Sequence, residues 1–158
     1  MAIRNIVQVG DETLRKKSFE VVAFDQKLHT LLDDMRDTVK KAHGAGLAAP
    51  QVGVLRRVFV VDVDEGFFEF VNPVIVSTSG SQDGKEGCLS VKGKFGDVVR
   101  PNKVVIKAQD RFGNKFSLTA KEFFARAICH EYDHLDGVLY IDKASRMLTP
   151  EELEDDED

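Results

Sequence analysis

Residues 118–137 most constrain what this chain can become. Thr119 and Glu122 have the spacing of a capping box, Leu118 and Phe123 occupy the staple positions around it, and Gly137 is a natural stop. The stretch between them therefore reads as a helix. Phe123, Ala127, His130 and His134 follow at spacings of four, three and four, so they share one stripe. Phe124, Ile128 and Leu135 form the stripe beside it. The fold must then bury a helix face carrying two imidazoles one turn apart. Buried polar groups without partners are costly, so these imidazoles need something to bind. A metal ion gripped by both would satisfy them, and Glu131 would be placed to handle the protons of an activated water. The competing reading is a polar helix face whose histidines are satisfied by neighbours.

Other segments set the context for that helix. Residues 26–43 read as a second helix, with Leu28, Leu31, Leu32, Met35, Val39 and Ala42 on one stripe, Asp25 as its cap and Gly44 as its end. His29 lies off the stripe and reads as solvated; His43 reads as a helix-end residue rather than a ligand. The middle of the chain has strand character at 58–63, 67–71, 74–78, 104–110 and 115–118, with Asn72-Pro73 breaking one run and 79–87 reading as a polar loop. The expectation is an α+β fold, with antiparallel or mixed β-sheets wrapped around a central histidine-bearing helix and an N-terminal helix besides.

A chain of 158 residues with 42% hydrophobic content suits one domain with a real core, and no apolar run is long enough to span a membrane. The first residues carry no secretory signal pattern, and Cys88 and Cys129 form no disulfide framework, so a reducing, cytoplasmic setting is expected. The net charge of −5 arises at the C-terminus, where the last eight residues hold seven acids; the remaining body carries 22 basic side chains against 20 acidic ones. Residues 149–158 thus read as an acidic, disordered tail on a domain spanning 1–148, and no electrostatic case for stable nucleic acid binding follows.

A catalytic metal commonly takes three protein ligands. No histidine follows His134, and Tyr140 stands where the zinc-peptidase pattern HExxHxxGxxH has its last histidine. Glu151, Glu152 and Glu154 lie in the acidic tail, a poor place for a rigid ligand. Upstream, Cys88 offers a thiolate, although a free cysteine taken alone is more often a small buried core residue. Cys129 points about 100° away from His130 around the helix and cannot easily share its ion. A glycine-rich loop from Gly44 to Gly53 carries one isolated amide side chain, Gln51.

Three segments, Gly44-Ala45-Gly46-Leu47-Ala48-Ala49-Pro50-Gln51, Glu86-Gly87-Cys88-Leu89-Ser90 and His130-Glu131-Tyr132-Asp133-His134, together resemble the signature motifs of the peptide deformylases, in that family's order and spacing. The stretch from Val9 to Arg15 is similar to the family's N-terminal region, and the resemblance spans residues 1–148. It implies a metal-dependent hydrolase that removes the formyl group from the N-formylmethionine of new proteins. Cys88, His130 and His134 would hold one divalent metal, Fe(II) in the cell, with Zn, Ni or Co able to substitute. Glu131 would be the general base and acid, and the Gln51 side chain and Leu89 backbone N–H would form the oxyanion hole. Gly44, Ala45, Gly46 and Gly87 would line a groove in which the peptide pairs edgewise, with Phe123 and Ala127 lining the methionine pocket. Arg100 and Asp133 would orient a ligand from behind, or form an ordinary surface ion pair. The partners implied are formylmethionyl nascent chains met in passing near the ribosome by a monomer, with no stable binding to nucleic acid or membrane.

The chain departs from the family pattern in two places. Lys92 stands where the family often has proline, which frees the loop 92–96, and the acidic end replaces the basic C-terminal helix of some relatives. Two other readings remain open: a zinc endopeptidase, which would not need Cys88, and a closed structural metal module, which would not need Glu131 as a base.

Overall fold

The computed structural model describes residues 2–152. Helix α1 spans Gln26–Lys41, and Asp25 caps it by accepting a hydrogen bond from the Leu28 N–H at 3.1 Å. Its stripe is buried as expected, from Leu28 through Val39. It ends two residues short of the expected boundary. His43, rather than a glycine, takes the left-handed conformation there (φ 56), and the Gly44 N–H reaches back to the Val39 carbonyl at 3.0 Å.

Eight strands follow: β1 Gly46–Ala48, β2 Val58–Val63, β3 Gly66–Ser79, β4 Gln82–Cys88, β5 Val91–Arg100, β6 Lys103–Gln109, β7 Lys115–Lys121 and β8 Arg146–Met147. They form a five-stranded sheet in the order β1-β2-β3-β6-β7 and a three-stranded sheet in the order β4-β5-β8. Every ladder is antiparallel, and parallel pairing is confined to an isolated bridge between Phe19 and Arg56.

Several local expectations yield to these ladders. Asn72-Pro73 does not end a strand. Asn72, at φ 50, makes a bulge inside β3, and its side chain bonds both backbone groups of Val21 and the Gln109 amide. The polar stretch 79–87 is mostly strand β4, and 92–96 lies in strand β5. The capping box does not form either: Thr119 belongs to β7, paired with Val105, and α2 begins at Glu122 with Lys121 at its N-cap and no side-chain cap. Glu122 is held at φ 57 by its N–H to the Asn102 carbonyl and its own carbonyl to the Gln82 amide. The acidic end starts as a capped turn: residues 150–152 are helical, Thr149 and Glu152 bond reciprocally, and Arg146 pairs with Glu152. The rest of the expected tail lies outside the described residues.

Alternation along β2 decides where the helices go. Val58 and Val60 face α1, in a core shared with Leu28, Leu32, Met35 and Val39. Phe59 and Val61 face α2, Glu122–His134, in a core shared with Ala125, Ile128 and Leu135. The five-stranded sheet is therefore covered on both faces at this end. Beyond α2 the hairpin β4–β5 closes in, joined to the helix by Arg126, which donates to the Val98 carbonyl at 3.0 Å. Among the described residues no helix is long and apolar enough to cross a membrane.

Candidate active site

The buried face of α2 carries Arg126, Ala127, His130, Glu131 and His134. Opposite it β4 ends at Cys88, and this brings the Cys88 Sγ, a ring nitrogen of His130 and one of His134 within 4.8 Å of one another. The Cys88 Sγ lies 3.4 Å from His134 Nε2. Of the three sequence candidates for ligands, all three meet. Cys129 does not join them; it is buried in the α2 core, where burial pushes its thiol up to about 11.

Glu86 explains how His130 is aimed. Its carboxylate accepts from Arg100 Nε at 2.8 Å and Nη2 at 2.9 Å, and from Arg126 Nη1 at 2.6 Å. Burial would push this carboxyl up, but hydrogen bonds from Arg100 and His130 hold it down at about 2, so it is an anion at neutral pH. An anion 2.8 Å from His130 Nδ1 accepts a hydrogen bond from its N–H, which leaves Nε2 as the ring nitrogen that can face a cation at the centre. Arg100 continues to Asp133 at 2.7 Å. The pair expected either at the surface or behind the ligands is therefore inside, with Arg100 only 3% exposed.

The chemistry of the cluster fits a cation. Burial disfavours a charged His130, yet the Glu131 charge and hydrogen bonds to Cys88 and Glu86 hold its pKa well above the ordinary value. Burial and the neighbouring positive charges of His130 and Arg100 drive His134 well below it. One positive charge is thus drawn to the centre of a sulfur and two-imidazole donor set, which suits a divalent first-row transition metal. Glu131 is buried, which pushes its carboxyl up to about 7, and its Oε1 has no hydrogen-bond partner among the described residues. Its Oε2 lies 4.0 Å from His130 Nε2.

Gln51 sits on the other side of the thiol. Its Oε1 accepts from the Ala48 N–H at 2.9 Å, and its Nε2 donates to Ser90 Oγ at 3.1 Å and to Cys88 Sγ at 3.5 Å. Both ends of the amide are fixed, with the N–H₂ toward the cluster. Leu89 follows Cys88 directly, and its carbonyl is held by Gln8 Nε2 at 3.0 Å.

A cavity of about 670 Å³ opens over this cluster, lined by Gly44, Ala45, Gly46, Gly87, Phe123 and Ala127 among others. The glycines have packing reasons. A Cβ on Gly44 would lie 2.8 Å from Leu89 Cδ1, on Gly46 2.7 Å from Glu131 Oε2, and on Gly87 2.5 Å from Phe95 Cε1. Phe123 differs from expectation: it is 56% exposed and stands at the mouth, whereas Ala127 is buried. His43 also reaches the cavity edge. His29 is not simply solvated, since its Nε2 meets the Arg111 carbonyl at 2.8 Å and its ring packs edge-on against Phe112.

Two residues of the site escaped the sequence reading as individuals, Glu86 and Arg126. Arg126 had a signal: it lies four before His130, so it shares the histidines' side of the helix, where a charge demands a buried partner. Glu86 had none, because its partners lie 14, 40 and 44 residues away.

Comparison with known proteins points the same way as this geometry. Residues 3–149 match the family model for polypeptide deformylase. A peptide deformylase of Caldicellulosiruptor bescii is 58% identical over 154 residues, covering 98% of this chain and 93% of that one. A peptide deformylase crystal structure from Legionella pneumophila superposes with a TM-score of 0.87 at 42% identity, covering 99% of this chain and 96% of the other. One from Thermotoga maritima gives 0.90 at 36% identity, over 92% of this chain and all of the other (100%). With a family model that spans nearly its whole length and relatives this similar, the chain belongs to the polypeptide deformylase family.

Proposed function

We propose that Cys88, His130 and His134 bind one divalent metal ion, and that Glu131, Gln51 and Leu89 act around it on a formylated peptide. The overall reaction is that of the family: water cleaves the formamide C–N bond at the N-terminus of a new protein, giving formate and a free α-amine. When bound, the metal supplies Lewis acidity, lowering the pKa of water and polarising the formyl oxygen. Glu131 takes the proton from the attacking water and gives it to the departing nitrogen. A carboxyl pushed up to about 7 by burial suits both acts near neutral pH. The Leu89 N–H donates to the oxygen on which negative charge develops, and so does the Gln51 N–H that points to Cys88 Sγ, while the bonds at Ala48 and Ser90 hold the rest of the amide in place.

Substrate enters along two strand edges. β1 is an edge of the five-stranded sheet and β4 an edge of the three-stranded one, and both border the cavity. An extended peptide between Gly44-Ala45-Gly46 and Gly87 gains main-chain hydrogen bonds there. Its methionine side chain lies over Ala127, with Phe123 at the rim.

The observation that carries this reading is the Cys88, His130 and His134 cluster with Glu131 beside it. The family resemblance implies Fe(II) in the cell, and the Cys-His-His donor set also accepts Zn, Ni or Co as substitutes. The domain of residues 1–148 works as a cytoplasmic monomer that meets nascent chains near the ribosome. The acidic end does not anchor it there, because RNA repels such a segment. Glu131→Gln tests the reading: the variant is expected to keep its metal and to lose about 10²–10⁴ in formate release. Full activity in that variant would contradict the role of Glu131.

A further inference from the structure

Without its last eight residues the chain nearly balances its charges, 22 basic against 20 acidic, but it does not balance them face by face. Strands β6 and β7 turn Val104, Ile106, Ala108 and Ala120 into the α2 core, with Phe116 and Leu118 packed against it. The opposite face of the same two strands carries Lys103, Lys107, Lys115 and Lys121, all exposed. Helix α1 shares its core with β1, β2 and Val71 of β3, and no residue of β6 or β7 belongs to that core. The lysine face is therefore bare. Neither strand contains an acidic residue. None of the four ammonium groups has an ion-pair or hydrogen-bond partner among the described residues, in contrast to Lys40 and Lys143. The flanking acids are Asp110, whose carboxylate accepts from the Phe112 and Asn114 N–H groups, and Glu122, which lies past the end of β7 at the start of α2.

Folding alone does not favour this arrangement. Lys103 and Lys121 stand directly opposite each other in the ladder, where like charges weaken a sheet. An anion from outside the chain relieves that repulsion. Lys107 pairs with Ser117 and Lys115 with Gln109, so the charges run the length of the ladder, about 20 Å at about 3.4 Å per residue. On β7 the exposed hydroxyls of Ser117 and Thr119 lie between Lys115 and Lys121. Beside them a hollow of about 590 Å³ is lined by Val74, Val76, Lys107, Lys115 and Ser117, among others.

We infer that the exposed face of β6 and β7 docks on the phosphate backbone of RNA through Lys103, Lys107, Lys115 and Lys121. A line of cations of this length matches a repeating polyanion rather than one acidic side chain, and serine and threonine hydroxyls donate to phosphate oxygens beside lysine. A bilayer fits less well: the exposed apolar residues at this face are the short Val74 and Val76, with no aromatic anchor. Contacts of this kind carry no base sequence preference and are weak, on the order of 10⁻⁴ M at physiological salt. The inference goes beyond the deformylase reading and does not depend on it, because the face lies outside the metal cluster and its cavity.

Fluorescence anisotropy of a labelled RNA duplex, titrated with the full metal-loaded chain, tests this. Four phosphate contacts predict a log–log salt slope of about −3, hence about a 60-fold loss of affinity between about 50 and 200 mM salt. The variant K103Q/K107Q/K115Q/K121Q is expected to lose binding, and K107Q/K115Q to keep it with about half the slope. Both are expected to release formate from a free formyl-Met peptide at the parent rate. The variant K16Q/K17Q/K27Q/K41Q makes the same change in net charge at exposed lysines elsewhere and is expected to bind RNA like the parent. Absence of RNA binding at low salt would overturn the inference, as would equal losses in the two fourfold variants, which would reduce the effect to net charge. Binding to phosphatidylserine vesicles but not to RNA would assign the face to a membrane. Binding to RNA only after removal of residues 153–158 would assign it to the chain's own acidic end.

Discussion

The Cα of Gly46 lies against the carboxylate of Glu131, so that a methyl group placed on it would come 2.7 Å from Oε2 and 2.8 Å from Cγ. Strand β1 thus approaches α2 closely because it lacks a side chain at this point, and the carboxylate occupies the gap. Sequence reasoning gave this glycine to the substrate; its packing gives it first to the Glu131 carboxylate. Gly46→Ala is expected to displace Glu131 and lower kcat by about 10²-fold, the scale of a lost general acid–base contribution, while the fold persists. Formate-release kinetics alongside a thermal melt check this. Unchanged kcat would show that the carboxylate does not need its observed position.

Cys88 and Cys129 make a contrasting pair. Cys88→Ala is expected to strip the metal, whereas Cys129→Ala leaves it, because the Cys129 thiol is buried in the α2 core and pushed up to about 11. Metal content by elemental analysis of both variants decides the matter. Metal retained in Cys88→Ala would favour a two-histidine peptidase-like centre.

Glu86 holds three cationic or proton-donating partners on one carboxylate. Glu86→Gln leaves Arg126 with an uncompensated buried charge and Arg100 with Asp133 alone, a loss of about 3–5 kcal/mol. It also frees the His130 ring, and metal affinity is expected to drop by about 10–100-fold. Competition with a chelator measures the affinity, and urea unfolding measures the stability. A variant that loses stability but keeps full metal affinity would remove Glu86 from the aiming of His130.

The N-terminal arm is tied down by Asp34, which accepts from the Ala2 N–H at 2.8 Å and from Arg4 Nε at 2.9 Å. Burial raises this carboxyl's pKa, but the Ala2 and Arg4 interactions win and hold it below its ordinary value. A depressed pKa means stability that is present above the unfolded-state pKa and lost as pH falls through the folded one. Asp34→Asn should therefore be less stable than the parent at pH 7, with the difference closing toward pH 3. Urea midpoints across that range check it, and a gap that widens in acid would reverse the sign.

Much of this was legible in local pattern. The Asp25 cap and the leucine stripe place α1 because both act within a few residues, and the β2 alternation places the two cores. The helix start at Glu122 was misread because Thr119 is bound first by its ladder with Val105, a partner 14 residues earlier. The polar run 79–87 was read as loop because β4 is an edge strand with little apolar burial, and its order comes from β5. Cys88, His130 and Gln51 were each ambiguous alone. What joins them is the long-range closure of β4 onto α2, which no short window of sequence contains.

The most direct test is formate release from a formyl-Met peptide by protein purified without oxygen, then stripped with chelator, then reloaded with Fe(II). The account predicts turnover before stripping, none after it, and recovery at one metal per chain. Absence of formate in every metal-loaded state, or turnover that survives complete stripping, would contradict it.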